Sequence, residues 1–213
     1  MKLTPSMLRL YAVTDRSWSA DEADFWRRVS EAMEGGAQVV QLREKHLSHE
    51  AMLRAAERFV ALCRSHGAVS IINDDVEAAA ASGADGVHVG QEDLEAGRAR
   101  VLLGPDKLIG VSAHNVEEAL AAQAAGADYL GVGAAFVTGT KSDASPISRE
   151  TIRAITAAVD IPVVAIGGIG PENILDLAGC GLDGVAVVSA LFAREDTKEA
   201  ARQMRALAEQ IAR

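Results

Sequence analysis

Aromatic side chains are scarce in this chain, 4% of its 213 residues, although apolar residues as a whole make up 49%. Ala, Val, Leu and Ile must therefore fill the core. The longest apolar runs fall far short of the ~18 residues that a membrane helix needs, so no membrane partner is expected. The opening MKLTPSMLRLYAVTD has no apolar stretch ahead of a small-residue cleavage site, so no secretory leader is expected. Cysteine is limited to Cys63 and Cys180, without a CxxC spacing. That pattern argues against metal or redox work and for free buried thiols in a reducing cytoplasm. Basic residues are in deficit, 21 against 30 acidic, giving a net charge of −9 and a pI near 5.0. Such a surface excludes nucleic acid as a general partner, and any basic pocket has to be local. The length fits one domain, 1–213, with a sizeable core, and leaves a homo-oligomer open.

What the chain does have is alternation. Short β-branched runs occur at Leu10 to Val13, Val39 to Leu42, Val69 to Ile72, Gly86 to Val89, Leu108 to Val111, Tyr129 to Val132, Val163 to Ile166 and Val185 to Val188. Amphipathic stretches separate them, among them Asp24 to Met33, Glu50 to Cys63, Val116 to Ala124 and Arg149 to Ala158, with Lys198 to Ile211 last. Buried strands alternating with helices imply parallel βαβ units, and eight units in this length fit an α/β protein with a single closed (β/α)8 TIM barrel. A doubly wound open sheet is the alternative, but GxGxxG is missing after the first strand, which ends in Thr14, Asp15 and Arg16. A weak repeat, Gly36-Ala37, Gly83-Ala84-Asp85, Gly126-Ala127-Asp128 and Gly181-Leu182-Asp183, precedes each even-numbered strand and suggests two-unit modules.

In a barrel, chemistry sits on the loops that follow the strands. Those positions hold Thr14 and Asp15; the segment Gln41, Leu42, Arg43, Glu44, Lys45; Asn73, Asp74 and Asp75; His88, Gln91, Glu92 and Asp93; Ser112 and His114; Thr138, Gly139, Thr140 and Lys141; Gly167 and Gly168; Val188 and Ser189. Period-two alternation puts Gln41, Arg43 and Lys45 on one side and Leu42 and Glu44 on the other. Two cations and an amide suit a polyanion, against the plainer reading of a charged surface loop. Asp74 and Asp93 on neighbouring loops suit Mg²⁺, which takes one or two carboxylates plus phosphate oxygens. A helix cap is the plainer reading of either carboxylate alone, and of Asp75. Thr138-Gly139-Thr140-Lys141 offers hydroxyls, backbone N–H groups and a cation to phosphate, but Thr precedes Lys, so it is not a Walker A loop. Gly167-Gly168 and Val188-Ser189 end the seventh and eighth strands, where barrels often bind phosphate through backbone N–H groups. His88 reads as a lumen residue, His114 as a secondary candidate, and His46, His49 and His66 as surface.

LYAVTD, QLREK, INDDVEAA, ADGVHVGQEDL, GVSAHNVEEA, TGTK, VVAIGGI and LDGVAVVSA follow one another in this order. From Leu10 to Leu191 the chain resembles the thiamine phosphate synthase family. The resemblance implies a transferase joining hydroxymethylpyrimidine diphosphate to 4-methyl-5-(2-phosphoethyl)thiazole, with Mg²⁺ as cofactor. It implies Gln41, Arg43, Lys45, Asn73, Ser112 and Lys141 around the pyrimidine diphosphate, within a segment that includes Leu42 and Glu44. Arg43, Lys45, Ser112 and Lys141 are the expected catalytic groups. Asp74 and Asp93 would hold the metal, and Thr138, Gly139, Thr140, Gly168, Val188 and Ser189 the thiazole phosphate. The sixth loop departs from the family in having Ala134 and Val137 where prolines are usual. A related thiazole tautomerase, with its proton-transfer histidine near His114, is the alternative, as is a non-catalytic sensor of phosphorylated ligands.

Overall fold

The computed structural model describes residues 3–90, 93–137 and 146–213, with the side chains of 93–96 also outside the description. Strands β1 (Leu10–Val13), β2 (Val39–Leu42), β3 (Val69–Asn73), β4 (Gly86–Val89), β5 (Leu108–Ala113), β6 (Tyr129–Val132), β7 (Val163–Ile166) and β8 (Gly184–Val187) pair in parallel in chain order. β8 returns to β1, Leu10 facing Val185 and Ala12 facing Val187, so the sheet closes into a (β/α)8 barrel.

Helices α1 (Glu22–Glu34), α2 (His49–His66), α3 (Val76–Ser82), α4 (Asp93–Leu103), α5 (Val116–Ala124) and α6 (Arg149–Ala158) each follow the strand of the same number. α7 (Ser189–Phe192) and α8 (Thr197–Ile211) both follow β8. The starts of these helices are set by short polar caps. Asp21, Ser48, Asp75, Asn115, Ser148 and Asp196 each accept an N–H from the first turn of the helix they precede. The seventh crossover differs from the expected α-helix. Ile174–Leu177 forms only a 3-10 turn, hemmed in by Pro171 and by Gly179 and Gly181, both at positive φ. Two strands also run on where polar residues had suggested an end: β3 takes in Asn73, paired with His88, and β5 takes in Ser112 and Ala113, paired with Gly131 and Val132.

Period-two alternation divides the core in two. Leu10, Ala12, Val40, Leu42, Ile72 and Val87 point outward and pack with the helices. Tyr11, Val13, Val39, Val69, Ile71, Leu108, Tyr129 and Val164 fill the lumen. The two tyrosines fit because Gly110 leaves room: a Cβ there would lie 2.1 Å from Tyr129 Cζ and 2.5 Å from His88 Nδ1.

The sequence repeat has a physical cause. The aspartate in three of its copies accepts an N–H near the start of the strand before it: Asp85 from Ser70 at 2.9 Å, Asp128 from Ile109 at 2.8 Å, and Asp183 from Val163 at 2.8 Å. Each satisfies a donor at the rim opposite the functional loops. Asp183 is further gripped by the Arg213 guanidinium, with both contacts at 3.0 Å, which ties the end of the chain beneath the barrel. Among the described residues, no helix is long and apolar enough to cross a membrane.

Candidate active site

The lumen opens at the C-terminal ends of the strands into a cavity of about 130 Å³. All eight strands or the loops after them supply its wall: Val13 from the first, Gln41 and Arg43 from the second, Asn73 from the third, His88 from the fourth, Ser112 and His114 from the fifth, and then Gly131, Gly133 and Ala134. The seventh and eighth strand ends add Gly167, Gly168, Ile169, Val188 and Ser189, completing the ring. The upper wall is polar on the β2–β5 side and apolar or backbone-lined on the β6–β8 side.

Gln41 is buried, and its Nε2 donates to the Tyr11 hydroxyl at 3.1 Å. Arg43 is held at its backbone, where its N–H donates to Thr14 Oγ1 at 3.0 Å, and its side chain reaches the cavity. Leu42 faces the other way, into the layer between barrel and helices. Glu44 also turns from the cavity: its carboxylate meets Arg16 at 2.8 Å with 7% of the side chain exposed, and Arg16 in turn lies over the Phe25 ring. Lys45 is exposed beyond the cavity lining.

Asp74 sits at φ 62, in the left-handed region that few non-glycine residues occupy. Its carboxylate takes a hydrogen bond from Asn73 Nδ2 at 2.6 Å. The neighbouring Asp75 caps α3 through Ala78 N at 2.8 Å, so it is Asp75 that serves the helix and Asp74 that remains exposed at the rim. The described residues contain no cluster of three or more His, Cys, Asp or Glu side chains. Mg²⁺ needs only one or two carboxylates when substrate phosphates and water complete its shell, and the exposed Asp74 carboxylate offers one. Asp93 opens α4, the helix after β4, and β4 pairs with the strand that ends in Asn73, but the Asp93 side chain lies outside the described residues. So do Thr138, Gly139, Thr140 and Lys141, and Gln91 and Glu92.

Gly168 has φ 66, and a Cβ on it would stand 2.4 Å from the Val137 carbonyl oxygen. Only glycine lets the β7 loop pass this close to the sixth loop. Val188 caps and Ser189 opens α7, whose four residues make too small a dipole to matter. A second cleft opens beside them, lined by Asp15, Trp18, Gly168, Ser189 and Arg194 among others, and Arg194 brings it a cation not anticipated from the motifs. Ala134 and Val137 lie along this side, Val137 largely exposed.

His88 takes the lumen position expected of it, and the two site histidines have different partners. His114 lines the cavity edge, but its Nδ1 is engaged by Glu118 Oε2 at 2.9 Å. His88 is more central: Nε2 lies 3.1 Å from Ser112 Oγ and Nδ1 3.2 Å from the Tyr129 hydroxyl. Tyr129 in turn meets the Tyr11 hydroxyl at 2.9 Å. Burial raises the pKa of both phenols above the ordinary range, Tyr11 further by the neighbouring Tyr129, so both keep their protons. Tyr11 and Tyr129 were read only as strand residues. Their lumen phase, two and three residues before the strand ends, was the available signal.

A closed parallel barrel with a polar cavity and a glycine-lined backbone rim at its C-terminal face defines the class: (β/α)8 enzymes that act on phosphorylated small molecules. A family model described as thiamine monophosphate synthase matches residues 10–191. The chain is 52% identical over 201 residues to the thiamine-phosphate synthase of Chloroflexus aurantiacus, covering 93% of this chain and 92% of that one. It is 50% identical over 175 residues to the thiamine-phosphate synthase of Moorella thermoacetica, covering 82% and 83%. The solved structure of a thiamine phosphate pyrophosphorylase from Pyrococcus furiosus superposes with a TM-score of 0.88 at 39% identity, over 97% of this chain and 98% of that one. The chain belongs to the thiamine monophosphate synthase family.

Proposed function

We propose that this chain is a transferase that makes thiamine phosphate from hydroxymethylpyrimidine diphosphate and 4-methyl-5-(2-phosphoethyl)thiazole, releasing diphosphate. The observation that carries this reading is the convergence of Gln41, Arg43, Asn73, Ser112, Gly168, Val188 and Ser189 on one cavity. The polar β2–β5 side suits the pyrimidine diphosphate, and the β7–β8 rim suits the thiazole phosphate.

In the reaction, the bond between the pyrimidine methylene carbon and the diphosphate oxygen breaks, and its electron pair leaves with diphosphate. The electron-rich aminopyrimidine carries the resulting positive charge. The thiazole nitrogen then donates its lone pair to the methylene carbon, forming the C–N bond. Arg43 meets the leaving group's growing negative charge, with Lys45 and Lys141 as the further cations assigned to it. Gln41 and Ser112 hold the pyrimidine, while Gly168, Val188 and Ser189 hold the acceptor's phosphate in line. Asp74 and Asp93 would hold Mg²⁺, which when bound neutralises diphosphate oxygens as they take up charge. No protein nucleophile is required. The unit spans residues 1–213, and the cytoplasm is its proposed compartment, in keeping with two free buried cysteines.

Formation of thiamine phosphate from the two substrates, with and without Mg²⁺, tests the reading. Coupling that depends on Mg²⁺ supports it, and absence of coupling overturns it. His114→Asn separates it from thiazole tautomerisation: coupling should persist in this variant, whereas a tautomerase would lose its activity.

A further inference from the structure

Glu44 is an acid set between two bases, Arg43 before it and Lys45 after it. Both bases are assigned to the substrate's diphosphate. A carboxylate here works against an anion site in two ways. It competes for the neighbouring cations, and its own charge repels the incoming diphosphate. Only 7% of the Glu44 side chain is exposed, so solvent and salt screen that charge weakly.

The charge is answered from another loop. Arg16, three residues beyond β1, meets Glu44 Oε1 with Nε at 2.9 Å and with Nη2 at 2.8 Å. Its guanidinium carbon lies 4.2 Å from the centre of the Phe25 ring of α1, which gives the planar group a face to rest on. Asp15, the acid next to Arg16 in the chain, is engaged elsewhere. Its Oδ1 accepts the Ser17 N–H at 2.9 Å and the Ser17 hydroxyl at 2.6 Å. The first loop thus grips the second at two successive residues, Thr14 at the Arg43 backbone and Arg16 at the Glu44 carboxylate. Neither Arg43 nor Lys45 makes an ion pair among the described residues.

We propose that Arg16 is a positioning residue for diphosphate binding: it neutralises Glu44 and keeps it turned from the cavity, leaving Arg43 and Lys45 available to the substrate. The proposal rests on the function inferred above, which sets the diphosphate beside the second loop. The two parts of the ion pair then differ in kind. Loss of Arg16 releases an anion next to the site, whereas Glu44→Gln removes that anion. The glutamine retains an Oε1, the atom that takes both contacts from Arg16, so the link between the loops survives the change.

Binding of inorganic diphosphate in the presence of Mg²⁺, measured by calorimetry, tests this without requiring turnover. Arg16→Met keeps a long side chain against Phe25 and removes the charge, and should weaken diphosphate binding by about tenfold or more. Glu44→Gln should bind at least as tightly as the wild type. The double variant, which has neither charge, should return to within about threefold of the wild type. In coupling assays, KM for the pyrimidine diphosphate should follow the same order, with KM for the thiazole phosphate unchanged in all three. Arg16→Gln, which can still donate a hydrogen bond to Glu44, should weaken binding in the same way if Arg16→Met folds poorly. Equal weakness in the folded single and double variants would reduce the pair to a structural link and overturn the proposal, as would unchanged binding in Arg16→Met and Arg16→Gln. Either result leaves the function standing, whereas a wild type that neither binds diphosphate nor couples the substrates overturns both.

Discussion

The fully buried hydroxyl of Thr14 accepts the backbone N–H of Arg43 at 3.0 Å, fastening the first residue beyond β2 to the residue that follows β1. Arg43 thus leaves the sheet at a fixed point with its side chain toward the cavity. Thr14→Val keeps the shape and removes the acceptor. It should cost about 1–3 kcal/mol of stability through the unsatisfied N–H. It should also raise KM for the pyrimidine diphosphate several-fold with little change for the thiazole phosphate. Thr14→Ser should recover most of both losses, as read by denaturant titration and steady-state kinetics.

Asp74 combines an unfavourable backbone with a rim carboxylate. Asp74→Gly relieves the left-handed strain, worth roughly 1 kcal/mol, though the glycine's extra freedom when unfolded offsets part of it. Asp74→Ala keeps the strain. The glycine variant should therefore melt at or above the wild-type temperature and above the alanine variant, while both lose more than about tenfold in turnover through weakened metal and diphosphate binding. Equal activity of all three proteins across a Mg²⁺ titration would remove Asp74 from the metal site.

Gly168→Ala places a methyl group 2.4 Å from the Val137 carbonyl at a backbone angle that alanine resists. Separation of the sixth and seventh loops is expected, opening the side of the cavity assigned to the thiazole phosphate. KM for that substrate should rise by about tenfold or more, equivalent to about 1.4 kcal/mol, with KM for the pyrimidine diphosphate much less affected. A uniform loss in both would assign Gly168 a structural role alone.

Stability should fall in acid through Asp24. Its carboxylate is held well below the ordinary range, first by the Arg28 guanidinium and then by the Ala20 N–H and Arg27. A depressed folded value means that the stabilisation is present above the unfolded value of ~3.9 and is lost as pH falls below it toward the folded value. Asp24→Asn should lower the melting temperature at neutral pH and flatten its decline below about pH 4. An unchanged acid slope would show that other carboxylates govern it.

Much of this molecule is local in origin. Alternating β-branched and amphipathic segments are enough for a barrel, because strand and helix periods are properties of neighbouring residues. Helices α5 and α6 have the limits their amphipathic patterns imply. Strand-end and loop residues such as Arg43, Asn73, Ser112 and Gly168 could be named in advance because parallel strands bring all their C-terminal ends to one rim. The seventh crossover was less legible, since the span between Pro171 and Gly179 is too short for periodicity to tell an α-helix from a 3-10 turn.

Tertiary structure decided which polar side chains meet. Glu44 belongs to Arg16 across a loop and His114 to Glu118, and each bond restrains a group that motif reading had placed near substrate, while Asp75 caps α3 as its position implied. His88, Tyr129 and Tyr11 come from strands 41 and 118 residues apart along the chain, and their link exists because Gly110 leaves a vacant lumen position for the rings to share. Local sequence determines which way a side chain points. Its partner across a closed barrel depends on strand register and on the size of residues far along the chain, and only the assembled fold contains both.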